Sequence, residues 1–223
     1  SAASDVYKRQ SFYKPTTVSR RTERRLHLGQ VSNLEDYVDQ LRNDPEEVDA
    51  LYRDLLIGVT SFFRDPAAFQ FLEENVIPAA MAKVPEGHDF RAWVAGCATG
   101  EEAYSLAILI REYIRKSGKP INAKIFATDA HARSLEIAAT GVYSEDSVAS
   151  VTTQRLKEFF FKTSDGLRVS PELRNMVVFA PHNIIKDAPF TRLDLIACRN
   201  LLIYLVPPAQ KKALSLFHFG LKT

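Results

Sequence analysis

Hydrophobic positions in the first 80 residues recur every three or four residues, which is the spacing of amphipathic helices. Four segments carry this pattern: TTVSRRTERRLHLG, SNLEDYVDQLR, DPEEVDALYRDLLIGV and DPAAFQFLEENVIP. Each is short and has one apolar face. The sequence therefore predicts a small helical domain over residues 11–80.

Capping residues mark where these helices begin and end. Ser32, with Glu35 three residues later, matches a capping box. Asp44 and Asp65 each stand before a proline, so each is predicted to cap a helix whose first position is that proline. Pro78 is expected to end the fourth helix, because proline has no N–H to donate to the helical ladder.

Beyond the linker KVPEGHD the pattern changes to short apolar runs separated by helical segments. Runs that are apolar throughout suit parallel strands buried on both faces, and their alternation with helices is typical of an open α/β sheet. We predict strands over residues 90–95, 124–128, 176–180 and 193–197, and helices over 101–116, 132–140 and 171–175. Residues 88–223 are therefore expected to form an α/β domain.

Two parts of this domain depart from simple alternation. Residues from about 141 to 173 are too many for an ordinary connection, and the run GLRVS inside them indicates a strand, so we expect a small inserted subdomain. The final segment, PPAQKKALSLFHFGLKT, predicts a helix with no strand after it. Doubly wound sheets usually have about five strands or more. The predicted sheet is therefore expected to be cut short at its C-terminal end.

Composition agrees with a globular chain, since 46% of the 223 residues are hydrophobic and 25% are charged. Two cysteines do not make a disulfide framework in a chain of this length, so we expect reduced thiols and a cytoplasmic location. The longest apolar run is far shorter than the ~20 residues that cross a bilayer, so no membrane insertion is expected.

The net charge of +2 conceals a basic N-terminal segment. Residues 1–30 carry seven lysines and arginines against two acidic residues, a net charge of +5. A basic helix face accepts nucleic acid, anionic lipid or an acidic protein, or is simply solvated without a partner. The opening residues 1–10 show no periodicity and are interpreted as disordered or as a tag or translation artefact.

Candidate chemistry begins at the turn AGCATGE, which follows the first predicted strand. Ligands of open α/β sheets bind beyond the carboxyl ends of the strands, and Gly96 and Gly100 allow the backbone to approach a ligand closely. The turn matches neither a P-loop nor G-x-G-x-x-G. Glu101 and Glu102 follow directly. They oppose an anionic pyrophosphate and suit a cationic ligand, or they are ordinary helix N-terminal charges.

The second predicted strand ends at Asp129, where α/β nucleotide-binding proteins place an acid on ribose hydroxyls. The alternative is an N-cap for the helix that follows. A ribose partner together with acids near a positive group fits S-adenosylmethionine, which has a ribose, an ammonium and a sulfonium.

Five motifs in order resemble the chemotaxis receptor methyltransferases: TSFFRDPAAF (60–69), WVAGCATGEEAYSLA (93–107), ATD (127–129), HN (182–183) and DLIACRNLLIY (194–204). The resemblance runs from about Tyr13 to the C-terminus. It implies an S-adenosylmethionine-dependent methyltransferase (Rossmann-like) domain after a small all-α domain. It also implies methyl transfer from S-adenosylmethionine to glutamate side chains of bacterial chemoreceptors. The products are glutamate methyl esters and S-adenosylhomocysteine, as in chemotaxis adaptation.

The resemblance also implies roles for single residues. Arg64 and Tyr204 would face the methyl group and the incoming carboxylate as catalytic residues. A structural ion pair for Arg64 and a core position for Tyr204 are the alternatives. No general base is needed, because a glutamate with a pKa of ~4.3 is already ionised at neutral pH. The resemblance implies these cofactor-binding residues: Thr60, Arg64, Glu102, Asp129, Asn183, Ile184, Arg199 and Asn200. Gly96 of the turn is added to them.

The match to the family has two departures: Gly58 stands where relatives often have a polar residue, and HNI replaces the common HNL. The sequences LLIGVTSFFRDP and FAPHNIIKD more closely resemble those of multidomain relatives, in which methylesterase, sensor or kinase domains are fused to this module. The resemblance implies chemoreceptor cytoplasmic domains as partners. Their acidic methylation helices would attract the basic N-terminal helix.

Rival functions come from other classes. The first is a non-catalytic S-adenosylmethionine-binding module of a fused signalling protein, which would tolerate loss of Arg64 and Tyr204; both are present. A nucleotide-binding oxidoreductase is disfavoured by the missing G-x-G-x-x-G. A nucleic-acid methyltransferase is disfavoured because CRNLLIY stands where its target-base motif would be, so no nucleic acid partner is expected. No metal site is expected either.

Overall fold

The computed structural model describes residues 13–56 and 60–222. Residues 1–10 and Gly58, on which expectations were stated above, lie outside the described residues. The chain divides into two compact units. The first takes in residues 13–56 with Asn200–Lys212, and the second takes in residues 60–199 and 213–222.

The first unit is helical. It contains α1 (Pro15–Leu28), α2 (Leu34–Asn43), α3 (Pro45–Leu56) and a 3₁₀ turn (Leu202–Tyr204). Its hydrophobic core consists of Tyr37, Leu51 and Leu55. A bridge between Tyr13 and Leu205 joins the two stretches of chain that make up this unit. The predicted helices are confirmed, including the end of the first at Gly29.

The capping predictions for α2 and α3 have different outcomes. Asp44 caps α3 as expected, because its Oδ1 accepts from the backbone N–H groups of Glu46 and Glu47 at 2.9 and 3.2 Å. The capping box at Ser32 is wrong, since Asn33 is the N-cap and its side chain accepts from Asp36 N at 2.9 Å. Asn33 lies one residue after Ser32 and directly before the first helical residue, Leu34. Its side-chain oxygen therefore reaches the backbone N–H of the third helical residue, Asp36.

A buried carboxylate organises the first unit. Arg25 donates from Nε and Nη2 to the two oxygens of Glu47, at 2.9 and 2.5 Å, and the Tyr37 hydroxyl donates to the same carboxylate at 2.7 Å. The two-pronged contact is the geometry in which arginine and carboxylate bind most strongly. Burial and this carboxylate raise the pKa of Tyr37 above its ordinary range. Arg25 is therefore a structural cation.

The second unit contains the sheet. Its elements are α4 (Pro66–Phe71), a π-helical turn (Leu72–Val76), α5 (Ile77–Ala82), β1 (Phe90–Ala95), α6 (Glu101–Ser117), β2 (Ala123–Asp129), α7 (Ala132–Thr140), β3 (Val142–Tyr143), α8 (Thr153–Phe159), β4 (Phe160–Thr163), β5 (Gly166–Val169), α9 (Pro171–Arg174), β6 (Val177–Pro181) and β7 (Leu195–Ala197). Last, α10 (Pro207–Gly220) is shared between the units, which divide at Lys212.

The main sheet is parallel, with strand order β6-β2-β1-β7. Val94 of β1 pairs with Ala127 of β2 and with Ala197 of β7, so the carboxyl ends of these strands lie at one edge. The four predicted strands and the helices between them are confirmed. Burial on both faces holds for β1, which is almost wholly buried, while β2 and β6 each have exposed positions.

The helical segment before β1 does not end at Pro78, so that prediction is wrong. The chain passes from α4 through a π-helical turn into α5, which contains Pro78. The Ile77 N–H bonds to Leu72 O, five residues back. The widened π turn accommodates a proline ring that would otherwise clash with the carbonyl of the preceding turn.

The inserted segment folds as a second, antiparallel sheet with strand order β3-β5-β4. The run GLRVS supplies its central strand, as predicted. Helix α8 precedes β4, and its N-cap Thr152 accepts from Arg155 N. None of the helices in residues 13–56 and 60–222 is both long and apolar enough to cross a membrane.

Candidate functional site

The glycine turn follows β1 and is held against the end of β2. Gly96 N and Cys97 N both donate to Thr128 O, at 2.8 and 2.9 Å. Ala98 takes a left-handed backbone conformation with φ 47°, and its N–H donates to Asp129 Oδ2 at 2.9 Å. The turn therefore lies at the carboxyl ends of β1 and β2, the place at which open α/β sheets bind ligands.

Gly100 closes the turn and opens helix α6 with φ 96°. A Cβ at this position would lie 2.8 Å from Ala138 Cβ, 3.0 Å from the Tyr143 hydroxyl and 3.2 Å from Phe179 Cζ. The position requires glycine for its backbone conformation and for its lack of a side chain.

Asp129 ends β2 and uses both carboxylate oxygens on backbone amides. Oδ2 accepts from Ala98 N and Oδ1 from His131 N, each at 2.9 Å. The N-cap of α7 is His131, so the alternative that Asp129 is the N-cap is wrong. Each oxygen keeps a second lone pair, which leaves acceptors for ligand hydroxyl groups.

The two glutamates after the turn differ in environment. Glu101 is 5% exposed and its Oε2 accepts from the Thr99 hydroxyl at 2.7 Å, so it holds the turn together. Glu102 has a buried Oε1 with no hydrogen-bond partner among the described residues, and its Oε2 lies 3.6 Å from Arg199 Nη1. Burial raises the pKa of Glu102 to about 7, although the charges of Arg199 and Arg64 act to lower it.

Arg199, after β7, ties this glutamate to residues 60–65, named here the Arg64 loop. Its Nη2 donates to Arg64 O and to Asp65 Oδ2, both at 2.7 Å. Its Nη1 is buried without a hydrogen-bond partner among the described residues. Asp65 was predicted to cap α4, but its side chain makes no capping hydrogen bond. Asp65 is the N-cap residue with Pro66 at the start of the helix, as predicted, but Arg199 binds the carboxylate that was expected to cap.

The Arg64 loop has a strained backbone. Phe63 and Asp65 have φ values of 49° and 60°, a region that costs non-glycine residues about 1–3 kcal/mol each. Phe63 N donates to Ser105 Oγ at 3.0 Å, and that hydroxyl donates to Glu101 O at 2.7 Å. The loop is thereby fastened to the first turn of α6. Thr60 begins it and is partly exposed.

The other predicted site residues lie further along the chain. Asn183 follows β6, and its Oδ1 accepts from Ile185 N at 3.0 Å, while Ile184 is 8% exposed. Asn200, with φ 55°, and Tyr204 belong to the first unit, in which Tyr204 O accepts from Lys14 N at 2.9 Å. The other predicted site residues belong to the second unit, in which Arg199 contacts Arg64 and Glu102, and Asp129 contacts the glycine turn.

Neighbouring histidine and cysteine side chains have structural roles. His182 Nε2 lies 2.9 Å from Ala188 O, and its ring meets the Trp93 ring edge-on at 5.2 Å. Cys97 and Cys198 are free thiols that follow the adjacent strands β1 and β7. Burial raises the pKa of Cys97 well above its ordinary value and that of Cys198 to about 12, so both remain thiols at neutral pH.

Sequence reasoning missed several residues that hold the site. Ser105, Tyr143 and Ser150 contact the turn or the Arg64 loop, and no local pattern marks them. Their partners lie 42 or more residues away along the chain. Only the small side chain of Ser105 inside the apolar run AYSLAILI offers a signal, since a buried hydroxyl needs a partner.

The hydrogen-bond acceptors of the site fit S-adenosylmethionine, the cofactor that the sequence indicated. The orphaned oxygen of Glu102 is an acceptor for a cationic group, and Asp129 retains acceptors for hydroxyl groups. Lysine and arginine side chains that would hold a polyphosphate are missing from the turn AGCATGE. Among the described residues, no group of three or more His, Cys, Asp and Glu side chains is arranged to hold a metal ion.

Comparison with known proteins indicates the same cofactor. Residues 58–223 match the family model described as CheR methyltransferase, SAM binding domain, and residues 10–56 match CheR methyltransferase, all-alpha domain. The chain is 46% identical over 211 residues to an uncharacterized 104.1 kDa protein of Rhodobacter capsulatus, covering 95% of this chain and 22% of that protein.

Two shorter relatives are covered over most of their length. A putative methyltransferase of Pseudomonas putida is 31% identical over 94% of this chain and 77% of its own length. The chemotaxis protein methyltransferase of Escherichia coli K12 is 31% identical over 92% of this chain and 71% of its own length. The chain therefore belongs to the CheR methyltransferase family, and residues 58–223 are the S-adenosylmethionine-binding domain of that family.

Proposed function

We propose that this chain is a protein-glutamate O-methyltransferase. It transfers the methyl group of S-adenosylmethionine to glutamate side chains of chemoreceptors and yields methyl esters and S-adenosylhomocysteine. The observation that carries the proposal is the unpartnered Glu102 carboxylate oxygen beside Arg199, next to a glycine turn fixed by Asp129. Relatives that are named chemotaxis protein methyltransferase support the substrate class.

Bound S-adenosylmethionine supplies an electrophilic methyl group on a sulfonium. The side chains of Glu102 and Asp129 are proposed to hold the amino-acid and ribose parts, with Thr60, Asn183, Ile184, Arg199 and Asn200 completing the cofactor contacts. Arg64 is proposed to orient the incoming carboxylate, and Tyr204 to donate a hydrogen bond to it. Because that carboxylate is ionised at neutral pH, catalysis rests on orientation and exclusion of water.

The test is transfer of a radiolabelled methyl group from S-adenosylmethionine to a chemoreceptor cytoplasmic fragment. Glutamate methyl esters hydrolyse in alkali and release labelled methanol, which N-methyl groups do not. We expect alkali-labile label that disappears when the receptor glutamates are replaced by glutamine. Alkali-stable label, or label that survives the glutamine replacement, would contradict the proposed reaction.

A second candidate is a non-catalytic cofactor-binding module of a larger signalling protein. The 46% identical relative is a 104.1 kDa protein of which this chain matches only 22%, which supports a longer relative in which this module is one part. Fused methylesterase, sensor or kinase domains remain our proposal from the sequence. Such a module would bind S-adenosylhomocysteine without methylating any receptor. Methyl transfer to a receptor fragment, which such a module would not support, therefore distinguishes the two candidates.

The remaining sequence expectations stand as predictions. They are a cytoplasmic location and the division into a helical domain over 11–80 and a methyltransferase domain over 88–223 with an insertion at about 141–173. The compact units and the family models divide the chain near residue 58, where the N-terminal stretch of the first unit ends and the S-adenosylmethionine-binding match begins.

Helix α1 is proposed to attract the acidic methylation helices of the receptor. Arg20 and Arg24 are exposed and four residues apart, so they lie on one helix face. Arg25 is not part of this proposed docking face, because its side chain is paired with Glu47. A basic face raises the rate of encounter with an acidic partner more than it raises affinity.

Reversing this charge in the double variant Arg20→Glu, Arg24→Glu is expected to raise the KM for a receptor fragment about three- to tenfold at low salt, with kcat unchanged. The difference should shrink as ionic strength rises, because salt screens exposed charges. The matched control reverses two exposed cations of the second unit, Arg133→Glu and Lys157→Glu, for the same net change. Equal effects of the two double variants would argue against docking on α1.

Cofactor binding is expected to release a proton from Glu102. In the free chain this carboxyl is protonated below about pH 7. The ammonium of S-adenosylhomocysteine favours its ionised form, so binding removes about 0.5–0.9 proton between pH 6 and 7. Affinity should therefore rise with pH through that window. Arg199, Arg64 and Asp65 also act electrostatically on this carboxyl.

Calorimetric titrations at one pH in two buffers of different ionisation enthalpy measure this proton release. The variant Glu102→Gln should bind with no proton release and no pH dependence between pH 6 and 7. Glu136→Gln, an exposed glutamate on α7, is the matched control and should behave as the wild type. Proton release that persists in Glu102→Gln would assign it to another group.

A further inference from the structure

We infer that the inserted segment, residues 141–173, is a positioning element for the Arg64 loop, with Ser150 and Arg155 as its positioning residues. The catalytic consequence rests on the proposed function, because it is Arg64 that the loop would present to the substrate. The structural claim stands on the contacts between the insert and the loop, all of which lie within the second unit.

The first contact fixes the backbone of the loop. Ser150, in the segment between β3 and α8, donates from Oγ to Phe62 O at 2.5 Å. The ring of Phe62 is fully buried between two aromatic rings of the insert, with Tyr143 at 4.9 Å and Phe160 at 5.4 Å, both edge-on. Backbone and side chain of one loop residue are therefore both held by the insert.

The second contact fixes the ring of the next residue. Arg155 of α8 places its guanidinium carbon 4.7 Å from the centre of the Phe63 ring. Two hydrogen bonds to the Glu112 carboxylate, at 2.9 and 2.7 Å, and one to Glu73 at 3.0 Å hold the guanidinium in that place. Arg155 thus acts on the loop as a fixed cation over an aromatic face.

The strained backbone explains why the loop needs this support. Phe63 and Asp65 keep left-handed conformations that relax unless the surroundings determine them. Ser105 of α6 binds the loop at Phe63 N, and Arg199, which follows β7, binds it at Arg64 O. The insert holds the residue just before, so the loop is fixed on both sides of the strained position.

The same insert also contacts the glycine turn. The Tyr143 hydroxyl donates to Thr99 O at 2.7 Å while its ring packs against Phe62. One small antiparallel sheet therefore touches both the turn proposed to hold the cofactor and the loop proposed to orient the substrate. Loss of its contacts should displace the loop without unfolding the main sheet.

The test compares the full chain with Ser150→Ala, Ser150→Thr and Ser147→Ala. Ser147 lies in the same segment, and its hydroxyl contacts Ser144 Oγ at 2.9 Å within that segment, so it is the matched control. Amide hydrogen exchange of residues 60–65 reports opening of the loop directly. Loss of one hydrogen bond should speed exchange at Phe63 about three- to tenfold in Ser150→Ala, with β1 and β2 unchanged.

Steady-state methylation of a receptor fragment supplies a second readout. We expect kcat to fall by about the same three- to tenfold in Ser150→Ala, with the receptor KM unchanged. Ser150→Thr keeps the hydroxyl and should restore both values, and Ser147→Ala should match the wild type. Unchanged exchange at Phe63 in Ser150→Ala would overturn the inference whatever the activity. A wild-type chain without methyl transfer would count against the proposed function, and the exchange data would still decide the positioning role.

Discussion

Replacing Arg64 by lysine is expected to lower kcat for receptor methylation about 100-fold, because lysine keeps the charge but lacks the planar fork that orients a carboxylate. The affinity for S-adenosylhomocysteine should stay within about threefold of the wild type, since the cofactor contacts of Glu102 and Asp129 remain. The backbone of the loop should also be retained, because Arg199 binds Arg64 through its carbonyl oxygen.

The matched control is Arg133→Lys, an exposed arginine on α7 that should leave kcat unchanged. Single-turnover rates with saturating receptor fragment separate the methyl-transfer step from binding. Full activity of Arg64→Lys would show that the arginine supplies only charge or a structural ion pair. A loss of cofactor affinity equal to the loss in kcat would place Arg64 on the cofactor and not on the carboxylate.

Replacing Gly100 by alanine is expected to destabilise the second unit by about 3 kcal/mol or more and to abolish binding of S-adenosylhomocysteine. The added Cβ would meet Ala138 Cβ at 2.8 Å and the Tyr143 hydroxyl at 3.0 Å. Neither neighbour is the free end of a flexible chain, so the turn must move. Denaturant unfolding gives the loss in stability, and calorimetry gives the loss in affinity.

Gly118, at the other end of the same helix α6, provides the control. It also has a left-handed backbone, with φ 65°, but a Cβ there would meet no atom within 4 Å. Gly118→Ala should therefore lose only about 1 kcal/mol from backbone strain and should bind S-adenosylhomocysteine normally. Equal losses in the two variants would mean that backbone conformation, and not crowding at the turn, sets the requirement for glycine at position 100.

The elements of this fold were predictable where one local signal determines them. Strand β1 is apolar at every position except Arg91, as suits a strand covered on both faces, and the alternation of such runs with helices indicated the parallel sheet. Asp44 before Pro45 marked the start of α3 correctly, since a cap needs only its own first turn. These signals act over a few residues, so sequence alone contains them.

Predictions failed where a distant partner decides. Asp65 precedes Pro66 just as Asp44 precedes Pro45, yet its carboxylate binds Arg199, 134 residues later. Pro78 did not end its helix, because the π turn before it widens the ladder. Arg25 was counted with the basic surface but is paired with Glu47. For Asp65 and Arg25 a distant partner overrode the local pattern, whereas at Pro78 the geometry of the helix itself changed.

The candidate site shows the same division. The turn AGCATGE and Asp129 are local features at strand ends, and their interpretation as a ligand site follows from topology. The local pattern did not separate Glu101 from Glu102, and only the family resemblance selected Glu102. The fold shows that Glu101 is bonded to Thr99 and that Glu102 has an oxygen without a hydrogen-bond partner among the described residues. Ser150 and Tyr143 carry no local mark, because their contacts to the loop and turn exist only in three dimensions.

The central claim is that the carboxyl ends of β1 and β2 bind S-adenosylmethionine. Calorimetric titration of S-adenosylhomocysteine into the full chain tests it most directly, with Asp129→Asn beside Asp165→Asn, an exposed aspartate of the β4–β5 turn. We predict micromolar binding by the wild type and by Asp165→Asn. For Asp129→Asn we predict at least about tenfold weaker binding with the fold retained. A folded wild-type chain that does not bind, or an Asp129→Asn variant that binds as the wild type does, would contradict the account.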